Sequence, residues 1–463
     1  MQPPPSSVTP AKAGVPPFSP LESEPRGTPA SAGVTAGRGN EVSSAAAPES
    51  KSYRAVVLAM LLLVYTFNFI DRQIIGVLAI PIKTELGLSD TQLGALGGLA
   101  FALFYTALGI PIAWAADRRS RTWIMTVSLA LWSAFTALCG VAGNFWQLFL
   151  CRLGVGVGEA GGVAPAYALI SDYFPRESRA RALAFYSFGI PIGSALGIFL
   201  GGWIASSVDW RTAFLTVGLA GVVLAPLFRL VVREPMRGRY DPPAARTEPA
   251  ALGEVMATLA RKPAFWLLAF GASSSSTVGY GLIFWLPSFF GRSFGLKLFD
   301  LSLFYGSIIF IGGMVGVWCG GWLGDRLGSR DPKYYALVPA SAFVIAVPLY
   351  VAGVMAPAKE LAFLLFLVPQ ALALMWLGPV LSAIQHLVPP NMRATASASF
   401  LFINNLIGIG FGTLFFGLVS DALAARFGDQ SLRYAILIGL GFYLIAAALL
   451  ALASRHLAKD WHR

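Results

Sequence analysis

From Phe145 to Ile170 the chain is apolar or small almost throughout, long enough to cross a bilayer as a helix, yet it carries Arg152 and Glu159. A charge at the bilayer centre costs at least ~2.5–3.5 kcal/mol, so such residues face a bundle interior or a wet cavity. Seven residues separate the two, two helical turns, which sets them on one face about 10 Å apart along the axis. A second charged pair, Asp71 and Arg72, lies in the apolar run FNFIDRQIIG. Adjacent helical residues point about 100° apart and cannot both face one spot. Asp71 is expected to face the centre near Arg152 and Glu159, with Arg72 beside it as an anion contact or structural partner. A buried carboxyl is pushed toward its neutral form by desolvation and toward its charged form by a neighbouring arginine. Arg152, exchanging between Asp71, Glu159 and an incoming anion, would therefore act as a proton switch. The plainer readings are an interfacial snorkel for Asp71 and Arg72 and a structural ion pair for Arg152 and Glu159.

Other chemistries are excluded by context. Gly156, Gly158 and Gly161 spell GxGxxG, but inside an apolar span and without the strand that a dinucleotide site needs. There is no Walker A sequence, so ATP does not drive the chemistry. His386, His456 and His462 form no metal cluster, no nucleophile-histidine arrangement is present, and neither enzyme activity nor a cofactor is expected. Protons are favoured as the coupling ion, because two intramembrane carboxylates are available and no oxygen cage for sodium can be read.

The elements that must position these charges are membrane spans. Of 463 residues, 56% are hydrophobic and only 12% charged, about half the charge of a soluble chain. Twelve spans are read, at 54–80, 90–115, 122–142, 145–172, 182–206, 211–232, 263–289, 300–323, 334–355, 360–386, 394–423 and 432–454. The chain then divides into a disordered tail (1–52), a six-helix half (53–232), a basic, Pro-containing linker (233–262), a second six-helix half (263–456) and a short tail (457–463). The net charge of +11 does not indicate nucleic acid, because the loops sort it. One side carries 20 Lys and Arg and the other 7, which predicts both termini in the cytoplasm of a multi-pass inner or plasma membrane protein. The first tail has no h-region, so the first span is expected to direct insertion. The three cysteines lie in or beside spans and make no disulfide framework.

The halves repeat. AWAADRRSR (113–121) is answered by GWLGDRLGSR (321–330), and FPRESRARA (174–182) by VPPNMRATA (388–396), with Pro175 and Pro389 offset by 214 residues. The two Asp-Arg loops resemble the signature of the major facilitator superfamily, the first departing at Ala113 and Ser120. NFIDR together with RLGVGVGEAG resembles its Spinster-like branch over about residues 52–458. The resemblance implies an all-α fold of twelve transmembrane helices in two pseudo-symmetric halves. It also implies a monomeric transporter of sphingosine-1-phosphate or other lysolipids working by alternating access, with Asp71 as a site of proton or substrate coupling.

On that basis Asp117, Arg118, Arg121, Asp325 and Arg326 are expected at a cytoplasmic gate. Gly189, Gly193, Gly197 and Gly201 form a close-packing stripe on span 5 that would seal against the other half. Cavity candidates are Asn68 in the first half and Tyr280, Phe284, Trp285, Gln370, Trp376, Asn404 and Asn405 in the second. A charged first half facing an aromatic second half suits an amphiphile in contact with the lipid bilayer. The competing functions are a proton symporter of a small organic anion such as a sugar acid, an uncoupled facilitator of lipid export, and a non-transporting receptor.

Overall fold

The structure, a computed structural model, describes residues 50–116, 118–240 and 251–461. Those residues form helices and turns with no strand. The expected disorder of residues 1–52 falls, up to residue 49, outside them, as does Asp117. Eleven runs are long and apolar enough to cross a membrane, and the last, Thr395–Asp460, turns back at Gly428, whose φ of 52° a side chain would resist. Twelve spans result. In the first half these are α1 (Lys51–Val77), α2 (Asp90–Ala116), α3 (Arg121–Cys139), α4 (Phe145–Tyr173), α5 (Arg181–Ser207) and α6 (Trp210–Val231). The second half has α7 (Pro263–Phe294), α8 (Leu298–Gly328), α9 (Tyr334–Val354), α10 (Lys359–His386), α11 (393–427) and α12 (431–460). The last helix runs through Asp460 with Leu457 buried, so the second tail begins later than residue 457. Large apolar side chains face outward, among them Trp114, Trp123 and Trp322 toward the end that bears the termini and Trp146 and Trp203 toward the distal end. Such aromatic tiers suit the two membrane interfaces.

Several spans read as continuous are interrupted, at Leu78, Phe188 and Leu440 by a single residue and in α4 and α10 by a longer break. α4 stops at Glu159, turns through Ala160–Gly162 and resumes at Val163. α10 breaks at Met375 and Trp376. Each longer break sits four residues before a proline, Pro165 or Pro379, whose ring clashes with that carbonyl and supplies no N–H. These prolines are also 214 residues apart, so the interruption is part of the repeat. α2 and α11 each carry a π-turn, Ala95–Leu99 and Leu406–Phe411, and the two turns face each other across the halves. There Thr413 Oγ1 donates to the Gly94 carbonyl at 2.7 Å, and a side chain on Gly98 would run into the Ile409 carbonyl.

The glycine stripe of α5 corrects an expectation. Cβ atoms at Gly189, Gly193, Gly197 and Gly201 would meet Tyr65, Thr66, Phe69, Ile70 and Ile74 of α1, within the same half. The seal to the other half comes from the next face of α5, where Gly202 abuts Ser302 and Pro191 approaches Gly313 of α8. A stripe predicts close packing but not its partner, which is set by helix rotation.

A polar seal joins the halves at the distal end. Arg292 of α7 holds Asp90 of α2 by two bonds of 2.7 Å, and Lys83 Nζ and Ser420 Oγ add bonds of 2.6 and 2.7 Å. The Asp421 carboxylate of α11 accepts from the Asp90 and Thr91 amides at 3.1 and 2.7 Å, capping the start of α2 from the opposite half. An anion there satisfies unpaired N–H groups and complements the helix dipole.

Candidate functional site

α1 supplies the centre of the site. Phe69, Arg72, Gln73 and Gly76 line a small cavity between the halves, closed from the first half by Phe101 of α2 and Arg152 of α4. Tyr280, Ile283 and Phe284 of α7, with Ile409 and Thr413 of α11, form the opposite wall. Its volume is about 40 Å³, enough for a few waters and far less than an amphiphile. In this conformation the centre is contracted.

Arg72 corrects the assignment made from sequence. Its Nε bonds Glu159 Oε2 at 2.7 Å, and it is Arg72, not Arg152, that pairs with Glu159. The Glu159 side chain is fully buried at the end of the first α4 segment, next to the break, and its second oxygen has no partner. The Arg72 guanidinium lies 4.7, 4.8 and 5.2 Å from the ring centres of Tyr105, Phe101 and Phe69. Cation–π contacts of this kind contribute most where water is excluded. Tyr65 stacks on Tyr186 at 4.3 Å, and Tyr167 meets Tyr186 edge-on at 5.7 Å, so aromatic rings extend this wall over α1, α2, α4 and α5. Sequence reasoning placed the aromatics in the second half and missed this group. The signal was present: Tyr65, Phe69 and Arg72 are spaced i, i+4, i+7 on one helix face.

Asp71 lies close to Arg152 and Glu159, as expected, but it is not among the residues lining the cavity. Rotated about 100° from Arg72, it is 1% exposed, and Thr136 and Trp132 face it from α3 without hydrogen-bond geometry. Arg152 donates to the Asp71 backbone carbonyl at 3.3 Å, and the carboxylate oxygens have no hydrogen-bond partner. Of the four charges, Arg72 and Arg152 thus line the cavity, Glu159 is tied to it through Arg72, and the Asp71 carboxylate is secluded.

The remaining candidates separate similarly. Tyr280 and Phe284 line the cavity. Asn68 is buried facing Glu159, with its amide oxygen unpartnered. Trp285 donates to the Thr413 carbonyl, Asn404 accepts from Ser276, and Gln370 accepts from Tyr350, all within the second half. Trp376 sits in the α10 break near Phe400, and Asn405 is the last residue before the π-turn of α11. None of these five is among the cavity-lining residues.

At the terminal end, Arg121 is buried between Asp172 of α4 and Glu234, and it also reaches the Pro235 carbonyl. Burial pushes the Glu234 carboxyl up, but bonds from the Thr122 amide, Arg121 and Ser120 outweigh it and hold the group below its usual range. Arg118 folds back on Trp114, and Arg326 lies over Trp322 at 5.1 Å. The Asp325 carbonyl accepts from Ser329. Each of these contacts stays within one half or its adjoining linker, and none among the described gate residues bridges the halves. The distal seal of Asp90, Arg292 and Asp421 was missed, because nothing in the local sequence pairs residues from three separate helix ends.

With this geometry in hand, the chain was compared with known proteins. The family model for the Major Facilitator Superfamily matches residues 61–413. An MFS-type efflux pump of Mycolicibacterium smegmatis is 36% identical over 407 residues, covering 87% of this chain and 93% of that protein. Protein spinster homolog 1 of Xenopus tropicalis is 30% identical over 430 residues, covering 86% and 81%. The crystal structure of a bacterial homologue of the human lysosomal transporter Spinster, inward-facing and unoccupied, matches with a TM-score of 0.82 at 34% identity, over 90% of this chain and 100% of that one.

Proposed function

The chain belongs to the major facilitator superfamily, as a Spinster-like member, and from that premise we propose that it moves an amphiphile with an anionic head group, a lysolipid or sphingosine-1-phosphate, by proton-coupled alternating access. One observation carries this reading: two arginines, Arg72 and Arg152, line the first-half wall, while Tyr280, Ile283, Phe284 and Ile409 make the facing wall mostly apolar. A head group belongs with the arginines and an acyl chain opposite. A sugar acid would call for hydrogen-bonding groups on both walls, which disfavours the organic-anion alternative. The name of the mycolicibacterial relative, an efflux pump, supports export.

The switch runs through Arg72. While Glu159 is charged, it occupies the guanidinium and competes with an incoming phosphate. Proton uptake by Glu159 frees Arg72 to take the anion in its forked geometry. The intact distal seal and the likeness to an inward-facing structure support reading this conformation as one closed at the distal end. The Lys and Arg bias of the loops supports placing both termini in the cytoplasm, in an inner or plasma membrane.

The test is uptake of labelled sphingosine-1-phosphate into proteoliposomes of the purified protein, with and without an imposed pH gradient. Protein-dependent uptake that follows the gradient is expected. Uptake indifferent to the gradient would make the protein an uncoupled facilitator of the same lipid. Absence of uptake would move the assignment to a water-soluble organic anion.

A further inference from the structure

Asp71 is secluded from the cavity, and its surroundings on α3 have no role in the switch described above. Four buried polar atoms meet there without hydrogen bonds: both carboxylate oxygens of Asp71, Nε1 of Trp132 and Oγ1 of Thr136. Trp132 and Thr136 are 1% and 0% exposed and one helical turn apart, so both present to the same stretch of α1. Buried donors and acceptors are ordinarily satisfied, and complementary groups that face one another need only small side-chain movements to pair.

Trp132 also touches the interrupted helix. The backbone of α4 at Gly158 lies directly on that of Trp132, where any side chain would collide, and a Cβ on Gly162, within the break, would lie 3.6 Å from the indole ring. The indole therefore spans the distance from Asp71 on α1 to the break that follows Glu159.

We propose that Trp132 and Thr136 are positioning residues that receive the charged Asp71 carboxylate, the indole N–H and the hydroxyl donating to it, and so register the state of Asp71 at the α4 break. The other groups facing Asp71 are Arg152 and Glu159 from α4 and Cys139 from α3, with Arg72 beside it on α1. Arg152 gives one bond, from Nη1, to the backbone carbonyl of Asp71 and its Nε is unpartnered, so the α3 groups add neutral donors to an arginine already beside the carboxylate. A donor to the charged form favours it, and removing the donor shifts the balance toward the neutral carboxyl. The inference rests on the proton-coupled reading of the site only for its consequence in transport.

The experiment is infrared difference spectroscopy of the full-length protein in lipid, titrated over pH, with the Asp71 carboxyl band identified by its loss in Asp71→Asn. Trp132→Phe removes the N–H together with the pyrrole part of the indole and leaves a smaller aromatic ring; Thr136→Val keeps the shape and replaces the hydroxyl by a methyl. Each variant is expected to change the frequency of the band and to move the pH of its appearance by about one unit, tenfold in proton concentration. A band unchanged in both variants, or no band lost in Asp71→Asn, would overturn the proposal. If the band responds while the pH profile of uptake does not, the positioning stands and proton coupling through Asp71 falls. If Asp71→Asn abolishes the pH dependence of uptake while the band ignores both variants, the reverse holds.

Discussion

Replacing Arg72 by glutamine is expected to reduce sphingosine-1-phosphate uptake by about 100-fold or more, while the protein still folds and inserts. Breaking a buried pair by removing one partner typically costs about 3–5 kcal/mol, and every 1.4 kcal/mol is a factor of ten. Glu159 escapes part of that penalty by taking up a proton, so the fold survives where the function does not. Arg72→Lys should recover only a fraction of uptake, since an ammonium keeps the charge but not the planar fork, nor its stacking among Phe69, Phe101 and Tyr105. Full uptake in Arg72→Gln, measured at equal protein density in the vesicles, would remove Arg72 from the head-group site.

The second large effect is at the distal seal. Asp90 has a side-chain exposure of 3% and takes two bonds from Arg292, so Arg292→Gln leaves a buried carboxylate with Lys83 and Ser420 only. Losing about 3 kcal/mol from one side of a two-state equilibrium shifts the population ratio by roughly 100-fold. Spin labels at Val141 and Met355, both exposed near the distal end of opposite halves, with the native cysteines replaced, should report a longer distance in Arg292→Gln than in the parent. An unchanged distance distribution would mean that the apolar contacts of α2 with α11 close this end without the ion pair.

The sequence carried the architecture because membrane crossing is a property of composition and length. Half of the site was legible for the same reason: charges such as Arg72, Arg152 and Glu159 stand out in apolar runs. The pairing among them was not legible. Whether Asp71 or Arg72 meets Glu159 depends on the rotation of α1 about its axis, a difference of about 100° that tertiary packing decides. The glycine stripe of α5 failed in the same manner, its spacing announcing close contact while α1, not α8, filled it. The longer helix breaks were written in Pro165 and Pro379 at the repeat offset of 214, yet proline is tolerated inside membrane helices, so its presence alone does not declare an interruption. The distal seal was hidden because Asp90, Arg292 and Asp421 are ordinary loop-edge charges until the halves come together.

The central claim is that Glu159 and an anionic head group compete for Arg72. The most direct measurement is equilibrium binding of sphingosine-1-phosphate to the purified protein at pH 5.5 and 7.5, for the parent and for Glu159→Gln. The account predicts tighter binding by the parent at the lower pH, and tight binding by Glu159→Gln at both, because a neutral amide leaves Arg72 free. Weaker binding by Glu159→Gln at both pH values would contradict it, making Glu159 a group that holds the substrate instead of one that yields to it.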